Sequence, residues 1–379
     1  MPKTKKSFSL SHVILLAGAF CAYLIGSGFA TGQEIMQFFT SGGIKGYISI
    51  IIFIVLMGTS TFILCSVGYR KKFKNPYDVF EYYCGKILGQ IYVWFSLILN
   101  YGIYVVMLAG GGATIHQYYG IPTFAGTAII AVIALGTALL GMEKLIKIIG
   151  VIGPVKILFI AILGVASIVT LFGNPSLLTE ANKILPTLNV TAASSNWAWS
   201  GALYAFACVT MCIPFLVNLG ASSRSLKEAK SVAVVGVLGY ALAIFMLLTA
   251  ELVNIKLVAG SQVPTLVLAA NISPILAAVF SLLIIVAIYS AVSSLLLMTV
   301  RKFAEDKTRK FNILAFVLTA IGTTFGGILP FDKLVNVLYS LVGYAAIVFT
   351  VLMLYKEIKI LITKKDSSDE LNVKKSEAV

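Results

Sequence analysis

Hydrophobic residues run along this chain in long stretches, separated by short segments rich in charge, glycine or proline. A membrane-spanning helix needs about 20 mainly apolar residues, and most stretches reach that length. The pattern therefore predicts an all-α integral membrane protein with about ten spans. Their approximate limits are 9–40, 46–68, 87–117, 122–140, 148–173, 196–220, 231–250, 273–300, 311–328 and 334–355.

The composition excludes soluble classes of protein. Of the 379 residues, 59% are hydrophobic and only 12% are charged, whereas a soluble domain carries roughly 25% charged residues. The five cysteines lie in or beside apolar stretches, which is typical of small buried side chains rather than of disulfides or a metal cluster. We expect no metal other than a coupling ion, and no cofactor.

The net charge of +14 reflects topology rather than a nucleic-acid partner. Of the basic residues, 23 lie in clusters on one side of the predicted spans, and only four lie in loops on the other side. By the positive-inside rule, this asymmetry places both termini in the cytoplasm. We expect a multi-pass protein of the cell membrane, with lysines and arginines at the lipid headgroups and short surface helices in the long loops 174–195 and 251–272.

The two halves of the chain have similar lengths, since spans one to five cover 9–173 and spans six to ten cover 196–355. An odd number of spans gives the second half the opposite orientation, as in transporters built from inverted repeats. The chain is thus predicted to contain a cytoplasmic N-terminus (1–8), two repeats joined by an extracellular loop (174–195), and a cytoplasmic basic tail (356–379).

The first span of each half is interrupted near its middle. Span one holds three glycines between Gly26 and Gly32, and span six holds Pro214 after Cys208. The glycines could serve close helix packing, and the proline could be an ordinary kink. Polar residues crowd span one at the same place, however, and interrupted helices at matching positions in both halves indicate a midplane binding site. We therefore predict broken first and sixth helices.

The motif in span one carries a family resemblance. The stretch Ile25-Gly-Ser-Gly-Phe-Ala-Thr-Gly-Gln-Glu-Ile-Met-Gln-Phe-Phe39, followed by Ser41-Gly-Gly, resembles the first helix of the YkvI-like membrane proteins. These belong to the amino acid–polyamine–organocation superfamily, which has the five-plus-five LeuT fold. The Gly-x-Gly break is also similar to that of neurotransmitter–sodium symporters, and Leu203–Lys230 looks like the sixth helix and following loop of the superfamily.

The resemblance implies a site for a small zwitterion. Backbone N–H groups near Gly28–Thr31 would bind a carboxylate, and carbonyl groups of Ala207–Thr210 would bind an ammonium group. A tyrosine hydroxyl of span three would complete the carboxylate site, unless these tyrosines only pack between helices. The implied substrate-binding residues are Gly26, Ser27, Gly28, Ala30, Thr31, Tyr101, Tyr104, Ala207, Cys208 and Thr210.

Two arrangements are open for the coupling ion. In sodium-coupled members, carbonyl groups of span one and hydroxyl groups of span eight hold the ion. The matching residues are Ala22, Ile25, Ser290, Ser293 and Ser294. In some sodium-independent permeases a lysine of span five occupies that position, and Lys156 is the corresponding residue. An ammonium group and a sodium ion would not share one small cavity, because like charges repel strongly at short range.

Glu34 is the only acidic residue expected well inside a span. Carboxyl groups inside membranes usually have a function, so we expect a proton carrier or a partner in an outer gate. The structural alternative is a hydrogen-bonded group that orients its neighbours, or a carboxylate in a wet vestibule.

The function predicted from these features is secondary transport of a small zwitterion, such as an amino acid, with a proton or Na⁺ as the coupling ion. A sodium-coupled symporter is the alternative within that class. A membrane receptor that binds the same ligand without transport is an alternative of another class. A membrane enzyme would need a histidine cluster or paired acids in the spans, and the chain has only two histidines, so we expect no enzyme.

Overall fold

The computed structural model describes residues 8–140, 142–306 and 308–363, and within these ranges the chain is helical with no strand. Eight of the described helices are long and apolar enough to cross a membrane, and two shorter apolar helices, Leu10–Leu24 and Thr123–Leu139, correspond to predicted spans one and four. The prediction of an all-α membrane protein is confirmed.

The helices follow the predicted order of the spans. Span one comprises α1 (Leu10–Leu24), α2 (Ser27–Thr31) and α3 (Gln33–Phe38), and the following spans are α4 (Gly46–Lys71), α5 (Asp78–Tyr119), α6 (Thr123–Leu140) and α7 (Met142–Gly173). After the surface helix α8 (Ser176–Ile184) come α9 (Trp197–Ser222), α10 (Leu226–Val253), the short helices α11 (Ile255–Val258) and α12 (Pro264–Ile272), α13 (Pro274–Arg301), α14 (Arg309–Ile328) and α15 (Phe331–Thr363).

The long loops contain the expected short helices, with α8 in the first and α11 and α12 in the second. Most of the predicted N-terminal segment and the tail from residue 364 onward lie outside the described residues. Some helices exceed their predicted spans because charged residues can continue a helix where they find partners. Glu357 near the end of α15, for example, accepts hydrogen bonds from Arg70 and Tyr83 at 2.9 Å each.

The pair formed by α4 and α9 lies at the centre of the bundle. Glycines allow the two backbones to meet directly. A Cβ on Gly68 would lie 2.1 Å from the carbonyl oxygen of Val217, and a Cβ on Gly220 would lie 2.0 Å from that of Cys65. Small residues at such contacts give close helix packing in membranes.

Span six is continuous, so the prediction of a broken sixth helix is wrong. Pro214 lies inside α9, which runs from Trp197 to Ser222 without a gap. A proline removes one backbone donor, but neighbouring side chains in a membrane bundle can satisfy the groups that it disturbs. Here the hydroxyl of Tyr23 in α1 donates to the carbonyl of Met211, one turn from the proline, at 3.0 Å. The proline therefore acts within the helix rather than dividing it.

Span one is interrupted twice rather than once. The first interruption follows α1, where Gly26 is extended, with φ −77° and ψ −167°. The second is a left-handed turn at Gly32, with φ 87°, between α2 and α3. Residues other than glycine rarely adopt such a φ value, so Gly32, the third glycine of the segment, is required by the backbone conformation itself.

The N-terminal end of α1 is attached to the start of α10. The Glu228 carboxylate is buried and accepts hydrogen bonds from the backbone of Ser9 at 3.3 Å and of Arg224 at 3.2 Å. His12 of α1 contacts the same carboxylate through Nδ1. This contact holds the inner half of span one against span seven.

The turn at Gly32 predicts a large effect of a small side chain. In Gly32→Ala the new Cβ would lie 2.7 Å from Oε1 of Glu251, on a backbone that disfavours it. Such strain costs about 1–3 kcal/mol, so we expect a lower melting temperature of the purified protein. Gly18→Ala is the matched control, because no atom lies within 4 Å of the added Cβ and alanine suits a helix. Equal melting temperatures for the two variants would contradict this account.

Candidate functional site

The first interruption of span one is occupied by a lysine from span five. The chain leaves the α1 helix at Ile25, and Nζ of Lys156 donates a hydrogen bond to the Ile25 carbonyl at 3.0 Å. Carbonyl groups in hydrocarbon need a donor within the protein. The lysine provides one, and it links α7 to the end of α1.

The three serines of span eight hydrogen-bond within their own helix. The hydroxyls of Ser290, Ser293 and Ser294 each donate at 2.8 Å to a carbonyl of α13, those of Ala287, Tyr289 and Ser290 respectively. Of the residues expected around a sodium ion, Ile25 is thus in contact with Lys156, and Ala22 lies in the last turn of α1. The lysine ammonium group therefore contacts one of the five residues that the resemblance assigns to the ion.

Glu34 lies at the centre of a cluster of tyrosines from three helices. Its carboxyl group is buried, with 2% of the residue exposed. Oε2 accepts a hydrogen bond from Tyr204 of α9 at 2.6 Å, and Oε1 accepts one from Tyr339 of α15 at 2.5 Å. The hydroxyl of Tyr240 in α10 lies 2.6 Å from that of Tyr204. Both carboxyl oxygens therefore have hydroxyl partners.

The carboxyl group of Glu34 lies directly on Gly28. A Cβ on Gly28 would lie 2.0 Å from Oε1 of Glu34, so a residue other than glycine would displace the carboxyl group. The turn at Gly32 brings these two residues of one span together. The position predicted for a substrate carboxylate is thus filled by a carboxyl group of the protein itself.

The other predicted residues of span one surround this contact. Ala30 and Thr31 are buried; the Ala30 carbonyl accepts from Thr265 at 2.6 Å, and the Thr31 hydroxyl donates to the Gly28 carbonyl at 2.9 Å. The side chain of Ser27 lies outside the described part of the chain.

The structure does not bring the tyrosines of span three to the break, which corrects the role predicted for them. Tyr101 donates to the carbonyl of Leu318 at 2.8 Å, and Tyr104 donates to the hydroxyl of Thr319 at 3.4 Å. Both partners lie in α14, so these residues pack between helices. The residue of α5 closest to a Cβ built on Gly26 is Met107, at 3.1 Å.

The predicted residues of span six also have a different environment from that expected. Because α9 is continuous, the carbonyls of Ala207 and Cys208 lie inside a regular helix and are not free for an ammonium group. Thr210 is the exception, since Pro214 cannot supply its usual backbone donor. All three residues are buried.

A second buried acid, Glu251, escaped the sequence analysis because span seven was predicted to end at residue 250. Helix α10 continues to Val253, and Glu251 is completely buried in its last turn. Oε2 accepts a hydrogen bond from Thr40 at 2.6 Å. Oε1 faces Gly32 and has no hydrogen-bond partner among the described residues.

On the side predicted to be extracellular, the cluster is closed by aromatic rings and by a polar seal. The rings of Phe38 and Phe39 lie 5.2 and 5.3 Å from that of Tyr204. Beside these rings, Gln37 donates to the carbonyl of Asp332 at 2.7 Å and accepts from Asn336 at 3.1 Å.

A cavity opens on the predicted cytoplasmic side. It has a volume of about 460 Å³ and lies between α5, the loop before it and the end of α13. Asn100 and Tyr77 are among its lining residues, as are Asp78 and Arg301. None of the described residues that line it belongs to span one or to the tyrosine cluster around Glu34.

Comparison with known proteins agrees with this architecture. No protein-family model matches the chain. The uncharacterized membrane protein YkvI of Bacillus subtilis (strain 168) is 24% identical over 350 residues, which cover 90% of this chain and 95% of YkvI. The uncharacterized protein YyaD of the same organism is 28% identical over 148 residues, 39% of this chain. That match spans only 41% of the length of YyaD.

Two solved structures share the fold. The structure of MhsT in complex with L-phenylalanine superposes with a TM-score of 0.58 and 16% identity, over 91% of this chain and 88% of MhsT. A variant of the Eremococcus coleocola manganese transporter gives a TM-score of 0.50 at 14% identity, over 93% of this chain and 79% of the transporter. The chain therefore has the LeuT fold and resembles YkvI over nearly its whole length, as the motif in span one predicts. The expectation that it is not an enzyme agrees with these comparisons.

The tyrosine cluster leads to a prediction about stability. Tyr204→Phe or Tyr339→Phe removes a hydroxyl group and leaves a buried carboxyl oxygen without that donor, which costs about 1–3 kcal/mol. We expect each variant to melt at a lower temperature than the parent protein. Tyr118→Phe is the control, because Tyr118 is exposed. If all three variants melted alike, the hydrogen bonds to Glu34 would not contribute to stability.

Proposed function

We propose that this protein is a secondary transporter of a small zwitterionic solute, an amino acid, which works by alternating access around the interrupted first span. We further propose that it does not depend on sodium, because the ammonium group of Lys156 takes the place of the ion. The observation that carries the proposal is the hydrogen bond from Lys156 Nζ to the Ile25 carbonyl.

The fold supports transport as the general activity. A protein with this fold was crystallised with L-phenylalanine, and another is a manganese transporter. The carboxylate of an amino acid would suit the hydroxyls of Tyr204 and Tyr339, and its ammonium group would suit the Thr210 carbonyl, which lacks its usual backbone donor.

The lysine supports independence from sodium. The Ile25 carbonyl would be a ligand of the ion, and it already accepts a charge-assisted hydrogen bond. A cation beside the ammonium group would be repelled strongly in a medium of low dielectric constant. The protonated ammonium group of Lys156 would therefore replace the ion, because it links α7 to α1. Loss of that proton weakens the link, because a neutral amine is a poorer donor than an ammonium group.

The first experiment identifies the ligand. The melting temperature of the purified protein is measured with each common amino acid in turn, in sodium chloride and in choline chloride. Amino acids that raise it are taken as ligands. The active compound is then tested for uptake into proteoliposomes. Uptake that is equal in both salts supports the proposal, and strict dependence on sodium contradicts it. Binding without any uptake would favour a receptor instead.

Substitution of the lysine gives the sharper test. A charge-assisted hydrogen bond is worth about 1.5–3 kcal/mol, so Lys156→Ala is expected to slow uptake by about one to two orders of magnitude. Ligand binding is expected to survive. Lys183→Ala, at an exposed lysine of α8, is the matched control and keeps the parental rate.

The serines distinguish the two ion arrangements. Since their hydroxyls donate within α13, Ser293→Ala and Ser294→Ala are expected to change uptake only mildly. If these variants altered a sodium dependence while Lys156→Ala was silent, the protein would be a sodium-coupled symporter.

A further inference from the structure

Tyr204 and Tyr339 form a clamp for a carboxyl group. Their hydroxyls come from different helices, α9 and α15, and each binds one oxygen of Glu34, at 2.6 and 2.5 Å. A carboxylate offers two acceptor oxygens, and the clamp supplies one donor to each. Tyr240 stands behind Tyr204 at 2.6 Å between hydroxyls and can orient it. These donors suit any carboxylate of the same size, whether it belongs to the chain or to a ligand.

The space below the clamp is shaped for a carboxyl group as well. Gly28 forms its floor, and a Cβ there would meet Oε1, Cδ and Cγ of Glu34 at 2.0, 2.8 and 2.9 Å. A ligand carboxylate bound by Tyr204 and Tyr339 would overlap the Glu34 carboxyl group, which already fills that position. Two carboxylates cannot share one site without strong repulsion or a shared proton. One of the two must leave before the other can bind.

The groups that face Glu34 from the elements packed on it are uncharged. They are the hydroxyls of Tyr204 (α9), Tyr240 (α10) and Tyr339 (α15), the thiol of Cys208 (α9) and the backbone N–H of Phe29 (α2). None of these side chains carries a positive charge that would tie the carboxyl group permanently in place. The hold on Glu34 consists of hydrogen bonds that a second carboxylate could accept equally well.

The backbone allows Glu34 to leave. It lies on the six-residue helix α3, which is joined to α2 only through the left-handed turn at Gly32. At its other end, α3 is held to the outer seal through Gln37, whose carbonyl accepts from Ala193 at 3.0 Å and whose amide donates to Asp332. Withdrawal of Glu34 from the clamp thus requires α3 to move together with the outer seal.

We propose that Glu34 is a tethered competitor of the substrate. In the closed protein its carboxyl group occupies the carboxylate subsite formed by Tyr204, Tyr339 and Gly28, and a ligand carboxylate binds there only after Glu34 has withdrawn. The proposal deepens the function proposed above, on which its statement about substrates rests. It also limits the ligands to compounds with a free carboxylate and a small group beside it.

A carboxylate added to the solution tests the subsite without any knowledge of the substrate. Glu34→Ala removes the tethered group and leaves the clamp empty, whereas Glu34→Gln fills it with an amide of the same shape. The melting temperature of each protein is measured with increasing sodium acetate, against sodium chloride at equal ionic strength. We expect acetate to raise the melting temperature of Glu34→Ala by several degrees and to leave the parent and Glu34→Gln unchanged, because a ligand stabilises only the protein that binds it.

Methylammonium chloride is the opposite probe. A subsite for an ammonium group, with Glu34 as its partner, would bind methylammonium in the parent protein and lose it in Glu34→Ala. That result, or an absence of any acetate effect on folded Glu34→Ala, overturns the proposal. Should Glu34→Ala fail to fold, Glu34→Ser answers the same question, since its short side chain also leaves the clamp empty.

The amino acid found in the ligand screen gives the second measurement. Removal of a competitor raises the apparent affinity, so Glu34→Ala is expected to bind the amino acid about tenfold more tightly or better. A weaker affinity would mean that Glu34 contacts the ligand itself and would overturn the proposal. If the screen finds no amino acid, the proposed function fails while the acetate experiment still decides whether the subsite exists.

Discussion

An interrupted helix inside a membrane leaves backbone groups that hydrocarbon cannot satisfy, and this constraint organises the centre of the molecule. Span one departs from regular helix at Ile25 and again at Gly32, with Gly28 between them. One ionisable side chain lies at each of these points. Lys156 contacts Ile25, Glu34 contacts Gly28, and Glu251 faces Gly32. Placing an ionisable residue inside a membrane costs free energy, and here these residues lie where the backbone is irregular.

Much of this architecture could be predicted from the sequence, because it depends on local patterns. Hydrophobic runs predict the spans, the Gly-x-Gly motif predicts the first interruption, and the family resemblance points to Lys156 in span five. The lysine was found because a single charge in an apolar helix is conspicuous. Its partner, the Ile25 carbonyl, was predicted because the resemblance assigns residues of span one to the same ion position.

The features that escaped prediction depend on contacts between distant segments. Whether Pro214 divides α9 or merely bends it depends on donors from other helices, such as Tyr23, which no local pattern reveals. The clamp around Glu34 joins residues 170 and 305 positions apart, and tyrosines are common enough in such spans to pass as packing residues. Glu251 was missed for a simpler reason, since helix ends are uncertain by a few residues and it lies in the last turn.

The contact between α4 and α9 has a mechanical consequence. Gly68 touches the backbone of Val217, and Gly220 touches the backbone of Cys65, so each helix provides both a recess and a ridge. Two helices in backbone contact at both positions cannot slide or rotate past each other without a clash of main chains. They therefore move as one rigid unit. Flexing must then be confined to the irregular joints elsewhere, at Gly26 and Gly32 above all. The rigid pair of α4 and α9 supports these two joints, so that a small displacement at a joint can open a path.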